Sequence, residues 1–278
     1  MLRTYTEAAA DYCAAAKKRA EQGGPRLLLL GALAGMFIAF AGVGASLGGA
    51  LAGKIASAAI FPTGLAMVLL AGSELFTGNC LLLMPLLRGD VTGGRVLRNW
   101  LLVYTGNFFG SLLIAFLAAQ CGVLDGIADA VVGTAVTKAA LPTAVAFLRG
   151  VLCNFLVCLA VWMAFCARSA GGKMVSLFGP IFLFVLCGFE HSVANMYYIP
   201  AAMMAVGNET YAFVAMEAYG YTAAQLSTVN LVNFITRNLI PVTLGNIVGG
   251  MVFIGLPLFL IHGKAIKASE EAAASAKN

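Results

Sequence analysis

Apolar residues gather into six long stretches along this chain, separated by short polar or basic segments. They are Leu27–Leu51, Ile55–Leu87, Trp100–Ala119, Ala144–Ala167, Met174–Ala205 and Leu239–Ile261. A helix needs about 20 such residues to cross a hydrocarbon core near 30 Å thick, so the pattern predicts six spanning helices. Two stretches are too long for one simple crossing. The second has 33 residues and the fifth 32, and a straight helix of either length would reach about 50 Å. Each holds ionisable residues only near its middle, Glu74 in one and Glu190 with His191 in the other. A charge at that depth costs at least about 2.5–3.5 kcal/mol on the insertion scale and needs a partner or water. Both helices are therefore expected to break there.

The two breaks match in sequence. Gly72-Ser73-Glu74 through Asn79 and Gly188-Phe189-Glu190 through Asn195 both read GxExxxxN, at an offset of 116. The next stretches match as well. Arg98-Asn99 through Gly110 and Arg237-Asn238 through Gly249 both read RNxxxVxxGNxxG, at an offset of 139. Spans one to three thus repeat as four to six, and an odd number of spans inverts the halves. Inverted repeats with broken helices at corresponding places point to a transport pathway. Gly72, Gly78 and Gly188 loosen the helices. Thr77 or Asn79, and Ser192 or Asn195, are expected to cap the second half-helices with their side-chain oxygens. The positive ends of two half-helices would then face the middle of the membrane and attract an anion. Glu74 and Glu190 are expected to accept hydrogen bonds that close the broken loops. His191 is the only intramembrane histidine in this reading, a candidate donor of a hydrogen bond or a proton to a weak-acid anion.

Composition agrees with the pattern. At 61% hydrophobic, 10% charged and a mean hydropathy of +0.91, the 278 residues leave no room for a sizeable soluble domain or for disorder. The long helical runs do not alternate with the period of two of an outer-membrane barrel. The first 26 residues hold no apolar core of a cleavable signal, so the first span is expected to direct insertion. Seven cysteines are scattered without a metal or redox spacing and read as small packing residues; no metal or cofactor is expected.

The net charge of +5 reads as topology and not as nucleic-acid binding. Thirteen of the 17 Lys and Arg fall in the N-terminal segment, the second–third and fourth–fifth loops and the C-terminal tail. Both ends are thereby predicted in the cytoplasm of a multi-pass protein of the cell membrane. Lys54, Lys138, Arg149 and Arg237 are left to the other side. Three regions follow: a cytoplasmic N-terminal amphipathic segment (1–26), a six-helix domain (27–262) and a cytoplasmic tail (263–278). Thr6–Gln22 reads as a surface helix capped by Thr6, with Lys17, Lys18 and Arg19 toward headgroups or water, either a simple anchor or a gate.

Five segments in order resemble the formate/nitrite transporter family: SELFTGN (73–79), RNWLLVYTGNFFGS (98–111), CNFLVCLAVWM (153–163), GFEHSVANMYYIP (188–200) and NLIPVTLGNIVGG (238–250). The resemblance covers nearly the whole chain. It implies an all-α, aquaporin-like protomer with six helices, assembled as a homopentamer with one pore per protomer and carrying small monovalent anions such as formate, nitrite or hydrosulfide. It further implies a gating loop at Leu75, Phe76 and Thr77, and constrictions at Phe61, Leu65, Leu75, Val157 and Phe184. It implies a central His191 beside Glu190, a pore-facing Asn154 and an outer-vestibule lysine at Lys138. The Thr77-Gly78-Asn79 triplet looks like the formate carriers of methanogens and the hydrosulfide channels of clostridia. Formate is therefore the favoured substrate, with hydrosulfide and nitrite behind it and proton linkage expected through His191.

Two other classes of function are weighed against this. An aquaporin-like neutral-solute channel would share the architecture, but its paired Asn-Pro-Ala loops are absent. An intramembrane enzyme built on Glu190-His191 lacks an HExxH, a GxSxG and a second histidine ligand.

Overall fold

A computed structural model describes residues 4–206 and 209–275, with side chains through 267. Arg3 and Lys277, used in the charge count, lie outside the described residues. Among the described residues all regular structure is helical apart from isolated turns and one bridge residue. Five helical runs are long and apolar enough to cross a membrane. The first of them, Gly24–Leu70, has 47 residues and so must fold back on itself.

The fold-back lies at Gly53. Helix α2 is Gly24–Ile60, and at Gly53 the backbone turns through φ 80°, where a side chain would be strained. The return arm brings Ile60 onto Gly44 and Gly48, and Gly64 onto Ala41. It continues as α3 (Pro62–Leu70). After a non-helical stretch come α4 (Phe76–Asn79), one 3₁₀ turn and α5 (Leu83–Arg88). The second predicted span is therefore two half-helices that part near Gly72. The third is α6, Gly93–Gln120, longer at its start than the apolar pattern suggested.

The second half follows the same order. α7 (Ala128–Ala139) precedes α8 (Thr143–Cys166), and α9 (Ala170–Cys187) breaks before α10 (Ser192–Val206). The long connection after residue 206 carries α11 (Glu209–Tyr219) and α12 (Ala223–Leu226), which lie outside the six apolar stretches. A last helical run includes α13 (Leu231–Asn233), α14 (Ile240–Gly250) and α15 (Leu256–Ser275), with two π-helical turns between them. α15 runs straight through the predicted boundary at 262.

Small residues hold the long helices together. α2 and α6 approach so closely that a Cβ on Gly31 or Gly35 would strike the Val103 or Asn107 carbonyl. One on Gly106 or Gly110 would strike those of Leu28 and Ala32. α8 and α14 repeat this contact through Gly150, Gly245 and Gly249. Dispersion between closely approaching backbones replaces the hydrophobic drive that lipid cannot supply. The exposed large apolar side chains, among them Leu29, Phe40, Leu101, Phe109, Val175 and Leu260, form an outer surface suited to lipid or to neighbouring protomers.

The N-terminal helix is not merely laid on a surface. α1 (Tyr5–Ala20) is capped by Thr4, not Thr6, in a box that Glu7 completes. Thr4 lies one residue before the helix and Glu7 at its third position, the spacing a capping box requires. Tyr12, Cys13 and Ala16 are buried, and the Tyr12 ring meets Phe165 of α8 edge-on at 5.0 Å. Removal from water pushes the Tyr12 phenol well above its ordinary pKa. Lys17 and Lys18 remain exposed, but Arg19 turns inward.

Candidate functional site

The two breaks are built alike, residue by residue. Gly72 and Gly188 each take a left-handed conformation, φ 72° and 70°, and end the first half-helix. Leu75 and His191 then lead into the second half-helix of each pair. The expected caps are not those found. The Phe76 N–H donates to Asn107 Oδ1 of α6 at 3.0 Å, and the Ser192 N–H to Asn246 Oδ1 of α14 at 2.9 Å. Each asparagine spends its amide group on two more backbone carbonyls. Asn107 donates to Gly31 and Glu74, and Asn246 to Gly150 and Glu190. One side chain thus closes the orphan groups of a break from a neighbouring helix, as a dry interior demands.

Gly78, Asn79 and Asn195, expected at the breaks, lie inside the second half-helices. The two asparagines hold the glutamates. Asn79 donates to Glu74 Oε2 at 2.8 Å and to Asn99 Oδ1; Asn195 donates to Glu190 Oε2 at 2.7 Å and to Asn238 Oδ1. Each glutamate also meets a cation from the short helix that opens its half. Arg19 Nε lies 3.4 Å from Glu74 Oε1, and Lys138 Nζ lies 2.8 Å from Glu190 Oε1. The Glu74 N–H reaches Leu30 O, and the Glu190 N–H reaches Arg149 O. Both carboxylates are 3% exposed, so these partners carry the charge that water would otherwise solvate. Lys138 is therefore an ion-pair partner and not a free vestibule cation.

Symmetry stops at the centre. The Thr77 hydroxyl lies 2.9 Å from His191 Nε2. At the offset of 116 their counterparts are Val193 and Leu75, which are apolar. The Ala194 N–H donates to His191 Nδ1 at 3.0 Å. A neutral ring therefore carries its hydrogen on Nε2 and donates it to Thr77 Oγ1, which leaves the threonine O–H hydrogen free for another acceptor.

Asn154 does not present its amide hydrogens to a passing solute. They go to the carbonyls of Thr77 and Asn246, at 3.1 and 2.7 Å, while its buried Oδ1 lacks a partner among the described residues. The Cys158 thiol also donates to the Thr77 carbonyl. A row of rings leads away from this pair: Phe184 stacks on His191 at 5.9 Å, and Phe61 meets Phe184 edge-on at 5.5 Å. Tyr198 lies beyond Phe61. Leu65, Leu75 and Val157 are buried with them. Phe76 turns the other way, its ring on Trp100 and Tyr104, where it packs the half-helix against α6. Phe61, Leu65, Leu75, Thr77, Asn154, Val157, Phe184 and His191 are each 4% exposed or less, so the centre is closed to bulk solvent.

Residues 6–260 match the family described as Formate/nitrite transporter. This chain belongs to the formate/nitrite transporter family. It is 39% identical over 207 residues to the formate channel FocA of Haemophilus influenzae, an alignment that covers 73% of this chain and 72% of that one. It is 38% identical over 280 residues to the probable formate transporter of Methanothermobacter thermautotrophicus, covering 90% and 92% of the two chains. A solved pentameric formate channel with formate bound superposes with a TM-score of 0.74 at 38% identity, over 86% of this chain and 97% of that one. The protein is thus a membrane channel of the formate/nitrite transporter family and not an enzyme.

Three structural residues had escaped the sequence reading. Asn107 and Asn246 were visible as the repeated Gly-Asn of the third and sixth spans, but nothing in that motif says that the amide reaches another helix. Arg19 carried a fainter signal. It precedes Lys138 by 119 residues, the same offset that relates Gly31 to Gly150.

Proposed function

We propose that this chain passes small monovalent anions, with formate the preferred substrate, through a pathway that runs along Phe61, Phe184, His191 and Thr77 in each protomer of a pentamer. The relatives named above as formate channels and the pentameric formate-bound neighbour support substrate and assembly. Nitrite and hydrosulfide share the charge and size that the site would select. The two halves are inverted across the cell membrane, with α1 and the chain ends in the cytoplasm, as the sorting of basic residues supports. Helix α1 then closes the cytoplasmic side of the six-helix region 27–262.

The observation that carries this reading is the Thr77–His191 contact between the starts of two half-helices. The first-turn N–H groups of Thr77, Gly78 and Val193 have no carbonyl in their own helices to bond. Together with the free Thr77 O–H, they supply donors and positive dipole ends for an anion that has shed its water. The aromatic and aliphatic side chains around them accept a small solute and repel a hydrated ion. The neutral His191 ring has no spare proton, since its one N–H is held by Thr77. Proton-linked transport therefore requires a second proton at Nδ1, which releases the Ala194 N–H and links substrate protonation to the start of α10.

Flux into proteoliposomes against formate, nitrite, hydrosulfide, acetate and glycerol tests the proposal. Formate flux above the other anions, with no glycerol-driven swelling, is the expected result. Glycerol permeation without anion flux would replace the proposal with a neutral-solute channel.

A further inference from the structure

We infer that Lys54, not Lys138, is the cation that draws anions to one mouth of the pathway. The inference rests on the anion-channel reading above and adds a residue to it. Lys138 is spent at close range, 2.8 Å from Glu190, so the pair presents little net charge to a solute. Of the other cations on this side, Arg149 enters the site through its carbonyl, which takes the Glu190 N–H, and Arg237 lies on the π-helical turn Phe234–Leu239 of the last helical run. Lys54 stands at the tip of the fold-back made by Gly53, with the residues on both sides exposed, Leu51 at 82% and Ile55 at 69%. Among the described residues it has no ion-pair partner.

Position gives this cation its role. The Lys54 ammonium lies 3.9 Å from where a Cβ on Gly188 would sit, and so it reaches the break that leads into Glu190 and His191. The return arm and α9 run in opposite directions here. Lys54 faces Gly188 at one level, and Phe61 meets Phe184 at the next level inward. Phe184 in turn stacks on His191. The order from solvent is therefore a free ammonium, an aromatic pair and the Thr77–His191 site. Gly188 leaves the approach open, since nothing but the Lys54 ammonium lies within 4 Å of the Cβ position there. An anion held by Lys54 would be desolvated only at the next step, so the ammonium raises its local concentration without binding it tightly.

The test uses Lys54→Gln, Lys54→Glu and Lys54→Arg in the full-length protein, reconstituted in liposomes of scored orientation. Initial formate flux is measured at sub-saturating substrate from each side in turn. For an anion passing about 7 Å from the ammonium in water, the neutral variant should lose about threefold and the reversed charge roughly sevenfold. Lys54→Arg should keep wild-type flux. The loss should appear for entry from the Lys54 side and fade at about 1 M salt, where the screening length is about 3 Å. Saturated flux should be unchanged, which a packing defect would not allow. Wild-type flux in Lys54→Gln at low salt, or an equal loss in Lys54→Arg, overturns the inference. Wild-type protein without formate flux would instead remove the anion-channel reading on which it rests.

Discussion

Replacing Asn246 by alanine should damage this protein more than any typical surface change. The amide accepts from Ser192 N–H at 2.9 Å and donates to Gly150 O and Glu190 O at 2.8 and 3.0 Å. At about 1 kcal/mol net for each buried hydrogen bond, the direct loss is about 3 kcal/mol. Ser192 N–H and Glu190 O are then left unpaired in a dry interior, and partial entry of water sets the total at roughly 3–5 kcal/mol. Unfolding in mixed micelles, followed through Trp100 and Trp162, measures it. Asn246→Asp adds a sharper check. Its carboxyl keeps the acceptor for Ser192 but turns a second oxygen toward two carbonyls. Only the protonated form can donate to one of them, so folding favours that form. Its stability should be retained at low pH and lost as pH rises, a slope absent from Asn246→Ala. Asn107→Ala removes the same three kinds of bond and should cost a similar amount. If Asn246→Ala unfolds within about 1 kcal/mol of wild type, the amide does not hold the break and the account of the site fails.

Other outcomes follow from the same geometry. Thr77→Val should lower formate flux about tenfold or more through loss of a charge-assisted donor, while Thr77→Ser keeps most of it, read in the same liposome assay. Lys138→Met should destabilise by about 3 kcal/mol because it strands Glu190, and Lys138→Met with Glu190→Gln should recover part of that loss in unfolding titrations. Arg19→Met should cost less, since Arg19 is 25% exposed and stands 3.4 Å from Glu74. His191→Asn should preserve assembly by size exclusion yet flatten the pH profile of formate flux; an unchanged profile would make His191 structural. Gly110→Ala and Gly245→Ala should fail to assemble, whereas Gly93→Ala, with open space at its Cβ, should behave as wild type.

Much of the fold could be read from spacing alone, because hydrocarbon allows a chain few choices. A 33-residue apolar run cannot cross straight, a buried glutamate cannot stand unpaired, and a motif repeated at a fixed offset fixes equivalent places in two halves. Those arguments reached the breaks, the two glutamates and His191 beside one of them, but not the contact of His191 with Thr77. They failed where an answer depended on which helix lies against which. Thr77, Asn79, Ser192 and Asn195 all had the chemistry to cap a half-helix, yet the caps came from Asn107 and Asn246, 31 and 54 residues further along the chain. The resemblance makes Lys138 an outer-vestibule lysine but says nothing of its bond to Glu190. Phe76 sat in a gating tripeptide, but its ring packs on Tyr104 at 4.7 Å.

The two kinds of polar residue in this core can be separated by asking whether each has a twin. Asn107 and Asn246, Asn79 and Asn195, Glu74 and Glu190, and Arg19 and Lys138 occupy equivalent places and make equivalent bonds. Residues required by a broken helix in lipid must appear wherever the helix is broken, so pairing marks them as structural. Thr77, His191 and Asn154 have no such twins. The equivalent positions hold Val193, Leu75 and Gly35, which could not make their bonds. A buried polar side chain that the repeated scaffold does without in its other half needs a different reason for its cost. Here the three converge on one atom group. His191 bonds the Thr77 hydroxyl, and Asn154 bonds the Thr77 carbonyl. On the proposed anion pathway, the departure from symmetry points to Thr77 as the residue to test first, with His191 on its hydroxyl and Asn154 on its carbonyl.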